Sequence, residues 1–317
     1  MVRYIVASSV ANRCTPPINS GQAFAGKCFS IRAASATTDH KVCTVQQFNA
    51  SDGLELAYTI DDFTDPWLEV PTLLLLHAAM GHSRRYYAWV PRLARRYRVV
   101  RMDLRGHGES AVPPAEPPLA MERLVQDTAE LLDHLGLESV HVVGNSAGGY
   151  IGQQLAMNRP ERVSSLMLFG STPGLKNSQA ASWIPRVARD GLRKFLADTI
   201  SDRFPVDRTD PRHIEWFLDE AAKNDTAYIA RFVGLMSSLE WSDQLHRIKC
   251  PTLVVYPGAE TVGSTHNYDA MRERIPDVEV ISYEGLPHNI CDSVPDRCAK
   301  DVLKFLGKRF GTPPSSS

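Results

Sequence analysis

The sequence predicts an α/β fold: a mainly parallel β-sheet with helices on both faces and one helical insertion. Three observations carry that expectation. Short apolar runs alternate with helical patterns from residue 44 onward. One run, Thr72–His77, reads TLLLLH, apolar without the alternation of a half-exposed strand. The rhythm breaks once, between about residues 171 and 246, where helical patterns follow one another with no strong strand among them. Strand–helix alternation places crossover helices on the faces of a parallel sheet, and a strand covered on both faces has no polar side to show.

Taken in order, Thr44–Phe48 and Leu54–Thr59 flank the turn signal Ser51-Asp52-Gly53 and read as a hairpin. Thr72–His77 is a strand buried on both faces. Tyr97–Met102 (YRVVRM), Val140–Val143 (VHVV), Val163–Phe169, Thr252–Tyr256 and Val278–Tyr283 complete the set. Among the helical patterns, Met121–Leu135 sets Leu124, Thr128, Leu131, Leu132 and Leu135 on one stripe. The insertion begins after Ser171-Thr172-Pro173-Gly174 and holds Trp183, Phe195, Trp216, Phe217, Tyr228, Phe232 and Trp241. It is too long for a connecting loop and is expected to form its own layer. Most of its aromatics are read as packing. Trp183, Trp216 and Phe232 are taken as the substrate-facing minority. The expected organisation is a core of residues 43–170 and 247–311, a helical cap of 171–246, and disordered ends at 1–42 and 312–317.

Composition limits the function classes. A chain of 317 residues with 43% hydrophobic content can bury one large core, with or without a modest second domain. A net charge of −1 gives no electrostatic footprint for nucleic acid or an anionic membrane. The basic run Arg92, Arg95, Arg96, Arg98 and Arg101 reads as a solvated helix end leading into a strand. No apolar stretch approaches the roughly 20 residues that span a bilayer. Six cysteines lie scattered, without metal-ligand spacing or a disulfide framework. The expectation is a reduced cytoplasmic protein with no metal and no cofactor, and the sequence leaves room for a homo-oligomer. Residues 1–42 are Ser-, Ala- and Gly-rich, with no acid before Asp39, and resemble an organelle-import presequence. A disordered tail or an over-long start is the plainer reading of them.

Gly144-Asn145-Ser146-Ala147-Gly148 matches G-x-S-x-G, and Gly149 follows. A strand precedes it and a helical pattern with Tyr150, Ile151, Gln154, Leu155 and Met157 follows, which is the context the motif requires. A nucleophile on a tight strand-to-helix turn sits in strained backbone space, and glycines remove the Cβ atoms that would collide there. The helix N-terminus adds partial positive charge behind a developing anion.

The order of TLLLLH-AAMG (Thr72–Gly81), MDLRGHGES (Met102–Ser110), GNSAGG (Gly144–Gly149) and a late histidine resembles the α/β-hydrolase superfamily over about residues 44–310. The resemblance implies an eight-stranded sheet, Ser146 as nucleophile, and a backbone oxyanion hole at Ala79 and Ala147. Ala78 stands where the family often has glycine. The resemblance also places the general base at His288, in Leu286-Pro287-His288-Asn289 after the last strand. Histidine is the side chain suited to take a serine proton near neutral pH. His266 comes too early, and His134, His213 and His246 read as surface residues on helices. The family usually carries Asp after the strand equivalent to Thr252–Tyr256; here the nearby carboxylate is Glu260.

Serine at the elbow excludes the aspartate-using branches, the haloalkane dehalogenases and epoxide hydrolases. An ester or lactone hydrolase with a fairly hydrophobic small-molecule substrate ranks first, because the cap supplies aromatic surface. Hydrolysis of C–C bonds in ring-cleavage products ranks second: GNSAGG is similar to the Gly-Asn-Ser-Met-Gly-Gly elbow of those enzymes, with Ala147 as the departure. Arg84 and Arg85 read either as carboxylate-recognition groups or, more plainly, as surface charges. A small-molecule receptor on the same scaffold is the non-enzyme alternative, against which the intact Ser146/His288 pair argues.

Overall fold

A computed structural model describes residues 44–176, 178–263 and 266–313. The expected extension at 1–42, and residues 314–317 of the expected tail, lie outside the described residues. The strands are β1 (Gln46–Asn49), β2 (Glu55–Asp61), β3 (Thr72–Leu76), β4 (Arg98–Met102), β5 (Val140–Asn145), β6 (Val163–Phe169), β7 (Thr252–Pro257) and β8 (Val278–Tyr283). They form one eight-stranded sheet in the order β1-β2-β4-β3-β5-β6-β7-β8. The β1–β2 and β2–β4 pairs are antiparallel and every later pair is parallel. The hairpin turns at Gly53, whose φ of 82° suits a residue without Cβ.

The alternation of β3 explains its unbroken leucines. Leu74 and Leu76 join the apolar cluster on one face and Leu73 and Leu75 the cluster on the other, and all four are fully buried. Helices α1 (Met121–His134) and α2 (Ala147–Asn158) cover the first face. Between β6 and β7 come α3 (Ala180–Asp198), α4 (Pro211–Ala222) and α5 (Thr226–Ser238). Gly191, at φ 76°, kinks α3. Asp210 and Asp225 cap α4 and α5, accepting from the Arg212 and Tyr228 amides. After β7 come α6 (His266–Arg274) and α7 (Pro295–Phe310), and α7 packs on the second face. No helix among the described residues is long and apolar enough to cross a membrane.

The helical insertion leaves and rejoins the sheet at one place. The Trp241 amide donates to Pro173 O at 3.0 Å and the Lys176 amide to Leu239 O at 2.9 Å. Gly174 makes this possible: a Cβ there would stand 2.2 Å from Leu239 O. Farther out, Asn224 Nδ2 donates to Met80 O at 3.2 Å, and Tyr228 lies against Gly106, where a Cβ would meet the ring at 2.2 Å. These contacts fix the insertion over the C-terminal ends of the strands.

The basic run after residue 90 departs from its expected solvation at one end. Arg92, Arg95 and Arg96 are exposed, but Arg101 is buried. Its Nε and Nη2 donate to the two oxygens of buried Asp61 at 2.6 and 3.0 Å, tying antiparallel β2 to β4. Removing the acid leaves a buried guanidinium without its counter-charge. Asp61→Asn is therefore expected to cost about 3–5 kcal/mol of stability, read as a lower midpoint in urea unfolding. An unchanged midpoint would show the pair to be dispensable.

Candidate active site

Ser146 ends β5 and starts α2 at φ 50° and ψ −114°, a left-handed backbone that a residue with a Cβ adopts only when its surroundings hold it there. They do so through hydrogen bonds and close approach. Its amide donates to Phe169 O at 2.9 Å, and Ser171 Oγ donates to its carbonyl at 2.9 Å. A Cβ at Gly148 would stand 2.2 Å from Leu76 O, and one at Gly144 would stand 2.4 Å from Gly149 Cα. The glycines let α2 begin against the end of β3 with no room for a side chain.

Ser146 Oγ lies 3.1 Å from His288 Nε2, and His288 Nδ1 lies 2.8 Å from Glu260 Oε2 and 3.1 Å from Oε1. A carboxylate only accepts, so Nδ1 carries the proton and Nε2 turns its lone pair toward the serine hydroxyl. His288 is placed by its amide, which donates to Asp202 O at 3.1 Å. Glu260 Oε1 also accepts from the amides of Val262 and Gly263 at 2.8 and 3.1 Å. The Glu260 side chain is fully buried. Burial by itself raises its pKa, but attraction to the imidazolium form of His288 and the three donors outweigh it and hold the carboxyl below the ordinary glutamate value.

The Ala79 amide makes no backbone hydrogen bond among the described residues. The Ala147 amide, first in α2, has no partner within its helix. Both residues line the same cavity as Ser146 and His288. His77 fixes the loop that carries Ala79. Its Nε2 accepts from the Leu104 amide at 2.9 Å and its Nδ1 donates to Ala78 O at 2.8 Å. Burial keeps this imidazole well below the usual histidine pKa, so it stays neutral and can do both.

The cavity lies between the strand ends and the helical insertion. Of the three aromatics expected to face substrate, the structure places only Trp183 on it. Phe232 is fully buried with its ring 4.8 Å from His107, wedging α5 onto the Arg105–Gly108 loop. Trp216 packs edge-on to His82 and Tyr87. Phe217, one position further along α4, lines the cavity instead. Arg85 is not a surface charge: it is buried, lines the cavity, and makes a two-pronged pair with buried Asp292. Arg84 is exposed. His213 is half-buried against Phe204 and Trp216 rather than at the surface. Arg203 and Asn289 were not singled out from the sequence; both are buried on the cavity wall. Neither carried a sequence signal.

A hydroxyl, an imidazole and a buried carboxylate in one hydrogen-bonded line, at the C-terminal ends of a parallel sheet, define a class of α/β enzymes that carry out hydrolysis. The family model for the alpha/beta hydrolase fold matches residues 71–294, and the chain belongs to that family. A pimeloyl-(acyl-carrier protein) methyl ester esterase of Aeromonas hydrophila is 27% identical over 249 residues, covering 75% of this chain and 96% of that protein. A hydrolase from Pseudomonas aeruginosa PA01 superposes with a TM-score of 0.75 at 30% identity, over 83% of this chain and 98% of the other. An enol-lactonase from Burkholderia xenovorans LB400 superposes equally well, TM-score 0.75, but at 22% identity its likeness is one of fold.

The contrast between two glycines tests the account of the elbow. Gly148→Ala drives a Cβ into the backbone of β3 and is expected to cost about 1–3 kcal/mol or more. In Gly234→Ala, on α5, the new methyl meets Ile184 Cδ1 at an ordinary 3.7 Å. There the gain in helix propensity is about 0.5–1 kcal/mol. Thermal melts of the two variants are expected to move in opposite directions; a neutral Gly148→Ala would remove the steric argument.

Proposed function

We propose that the protein is a serine hydrolase that cleaves a carboxylic ester or lactone of a fairly hydrophobic small molecule through an acyl-enzyme intermediate. The observation that carries this reading is the line Ser146 Oγ, His288, Glu260, with both ring nitrogens in hydrogen-bond contact. Ser146 Oγ attacks the carbonyl carbon while His288 Nε2 takes its proton, and the oxyanion is received by the Ala79 and Ala147 amides. Glu260 accepts from Nδ1 throughout and stabilises the imidazolium. His288 then protonates the departing alkoxide. Water, activated by the same Nε2, opens the acyl-enzyme and frees Ser146. The nucleophile, the base, the acid and the oxyanion donors in these steps are all residues of the chain. Apolar residues dominate the cavity wall, among them Met80, Leu175, Leu196, Val233 and Met236, which suits a hydrophobic substrate. The name of a similar protein, a methyl ester esterase, supports the ester bond.

The test is turnover of aryl esters and small lactones by purified protein, with ring-fission dienoates run beside them. Ser146→Ala is expected to fold normally and lose several orders of magnitude in kcat. Full activity in that variant would overturn the mechanism; cleavage of dienoates alone would move the reading to C–C hydrolysis. Glu260→Gln keeps the shape but removes the charge and favours the wrong tautomer. Its expected loss is roughly 10³–10⁴-fold in kcat, with KM little changed because the acid stands behind the imidazole. An unimpaired Glu260→Gln would reduce the machinery to Ser146 and His288.

A further inference from the structure

The buried arginines near the strand ends are paired with carboxylates, with one exception. Arg85 pairs with Asp292, Arg101 with Asp61, and Arg105 with Asp127 and Asp52. Arg203 is 6% exposed and makes no ion pair among the described residues. Its Nη1 donates to Thr199 O at 3.0 Å and Thr199 Oγ1 at 2.8 Å, and Nε and Nη2 make no hydrogen bond among the described residues. The rings of Trp183 and Phe195, with centroids 5.6 and 5.5 Å from Cζ, hold the guanidinium in place. Burial pushes its pKa down to about 10, so at neutral pH it remains a cation.

A second, independent observation lies beside it. Asn289 is 5% exposed, and its Nδ2 is buried with no hydrogen-bond partner. Its backbone amide donates to Arg203 O at 3.0 Å, so the two residues spring from adjoining chain segments, and both line the cavity that holds Ser146. On this part of the wall the structure offers a buried amide donor left unmatched, that of Asn289, beside a cation with no ion pair among the described residues. A buried donor left unmade costs stability, and the Arg203 cation has no carboxylate within ion-pair distance, only the farther charges of Asp202 and Glu260. A ligand that supplies acceptor oxygens and a negative charge satisfies both at once. The planar fork of a guanidinium suits a carboxylate best.

We propose that the cavity selects esters or lactones bearing a carboxylate apart from the scissile carbonyl, received by Arg203 and Asn289. This rests on the hydrolase reading above and narrows its substrate to acid-bearing molecules with an apolar linker. Arg203 and Asn289 are then specificity-determining residues, and the His288 loop sets them: the amides of His288 and Asn289 donate to Asp202 O and Arg203 O in turn.

The experiment measures kcat/KM for mono-p-nitrophenyl esters of succinic, glutaric and adipic acids against neutral p-nitrophenyl esters of equal chain length. The pair 4-acetoxybutyrate and butyl acetate places the acid in the alcohol half instead. At least one acid-bearing substrate is expected to be preferred by about 10–100-fold, as charge-assisted hydrogen bonds allow. That ratio is expected to fall close to one in Arg203→Met and to be partly kept in Arg203→Lys. Wild-type protein that turns over neutral esters through Ser146 but shows no preference in any pair overturns the proposal and leaves the hydrolase reading standing. If neither these esters nor small lactones are cleaved, the hydrolase reading fails by itself. Calorimetry then decides, using monomethyl glutarate and methyl valerate on the Ser146→Ala protein. Tighter binding of the acid, lost on adding Arg203→Met, supports the subsite, and equal binding overturns it.

Discussion

The geometry of the site hangs on one backbone constraint, the left-handed turn at Ser146 pressed against the end of β3. A non-glycine residue at φ 50° costs on the order of 1–3 kcal/mol, and the neighbours supply what holds it. Phe169 O takes the serine amide and Ser171 Oγ bonds its carbonyl, so β6 grips the turn from one side. On the other side Gly148 lies against Leu76 and His77. Because β3, β5 and β6 are neighbours in the sheet, this one contact brings three strand ends together. The loop after β3 then falls beside the serine and carries the Ala79 amide. The loops after β7 and β8 reach in from the opposite side with Glu260 and His288. Loops at the carboxyl ends of a parallel sheet converge in this way as a consequence of strand order.

Buried ion pairs do the remaining positioning. A pair buried on both sides adds little net stability compared with an apolar substitute, yet breaking one is costly, so such pairs fix geometry more than they strengthen the fold. Their placement here fits that role. Arg105 joins α1, through Asp127, to the loop after β4 and to Asp52 of the hairpin turn. Asp103 accepts from the amides of Ser83 and Glu109, drawing the loops after β3 and β4 together. Arg85 joins the segment after the Ala79 loop to Asp292 just beyond His288, and its guanidinium lies 4.9 Å from the Phe217 ring of the insertion. The segment beyond Ala79, the His288 loop and the helical layer thus meet at one buried cation.

The strands were legible because a parallel sheet covered on both faces needs apolar runs, and few other structures do. The elbow was legible because strand, glycines and helix must occur in that order to make the turn. The three residues of the hydrogen-bonded line were implied by the family resemblance, at places that follow β5, β7 and β8. The helical layer was less legible. Trp216 and Phe217 are neighbours that point to different surroundings, one toward His82 and Tyr87 and one into the cavity, and helical spacing alone does not say which face docks downward. Phe232 was read toward substrate but packs on His107, because α5 meets the core there first. The charged residues were the least legible. A lone arginine in sequence looks solvated whether its partner is water or an aspartate two hundred positions away, as with Arg85 and Asp292.

Glu260 is where the chain departs from the aspartate its family usually carries, and the surrounding loop shows how the extra methylene is accommodated. The chain leaves β7 and is held to the last strand at once: the Gly258 amide donates to Tyr283 O at 2.9 Å and the Ala259 amide to Leu286 O at 3.0 Å. Gly258 lies so close to Glu284 that a Cβ would stand 2.8 Å from its Cα. These bonds fix where residue 260 begins, and the carboxylate must reach His288 from there. The glutamate arm then turns back over its own loop, where the Val262 and Gly263 amides donate to Oε1, while Oε2 faces His288 Nδ1. Tyr268 of α6 adds a long contact to Oε2 at 3.4 Å. With the amides on one oxygen and the imidazole chiefly on the other, the carboxylate is ionised and oriented by separate sets of donors. The longer side chain is therefore matched by a loop folded to hold it.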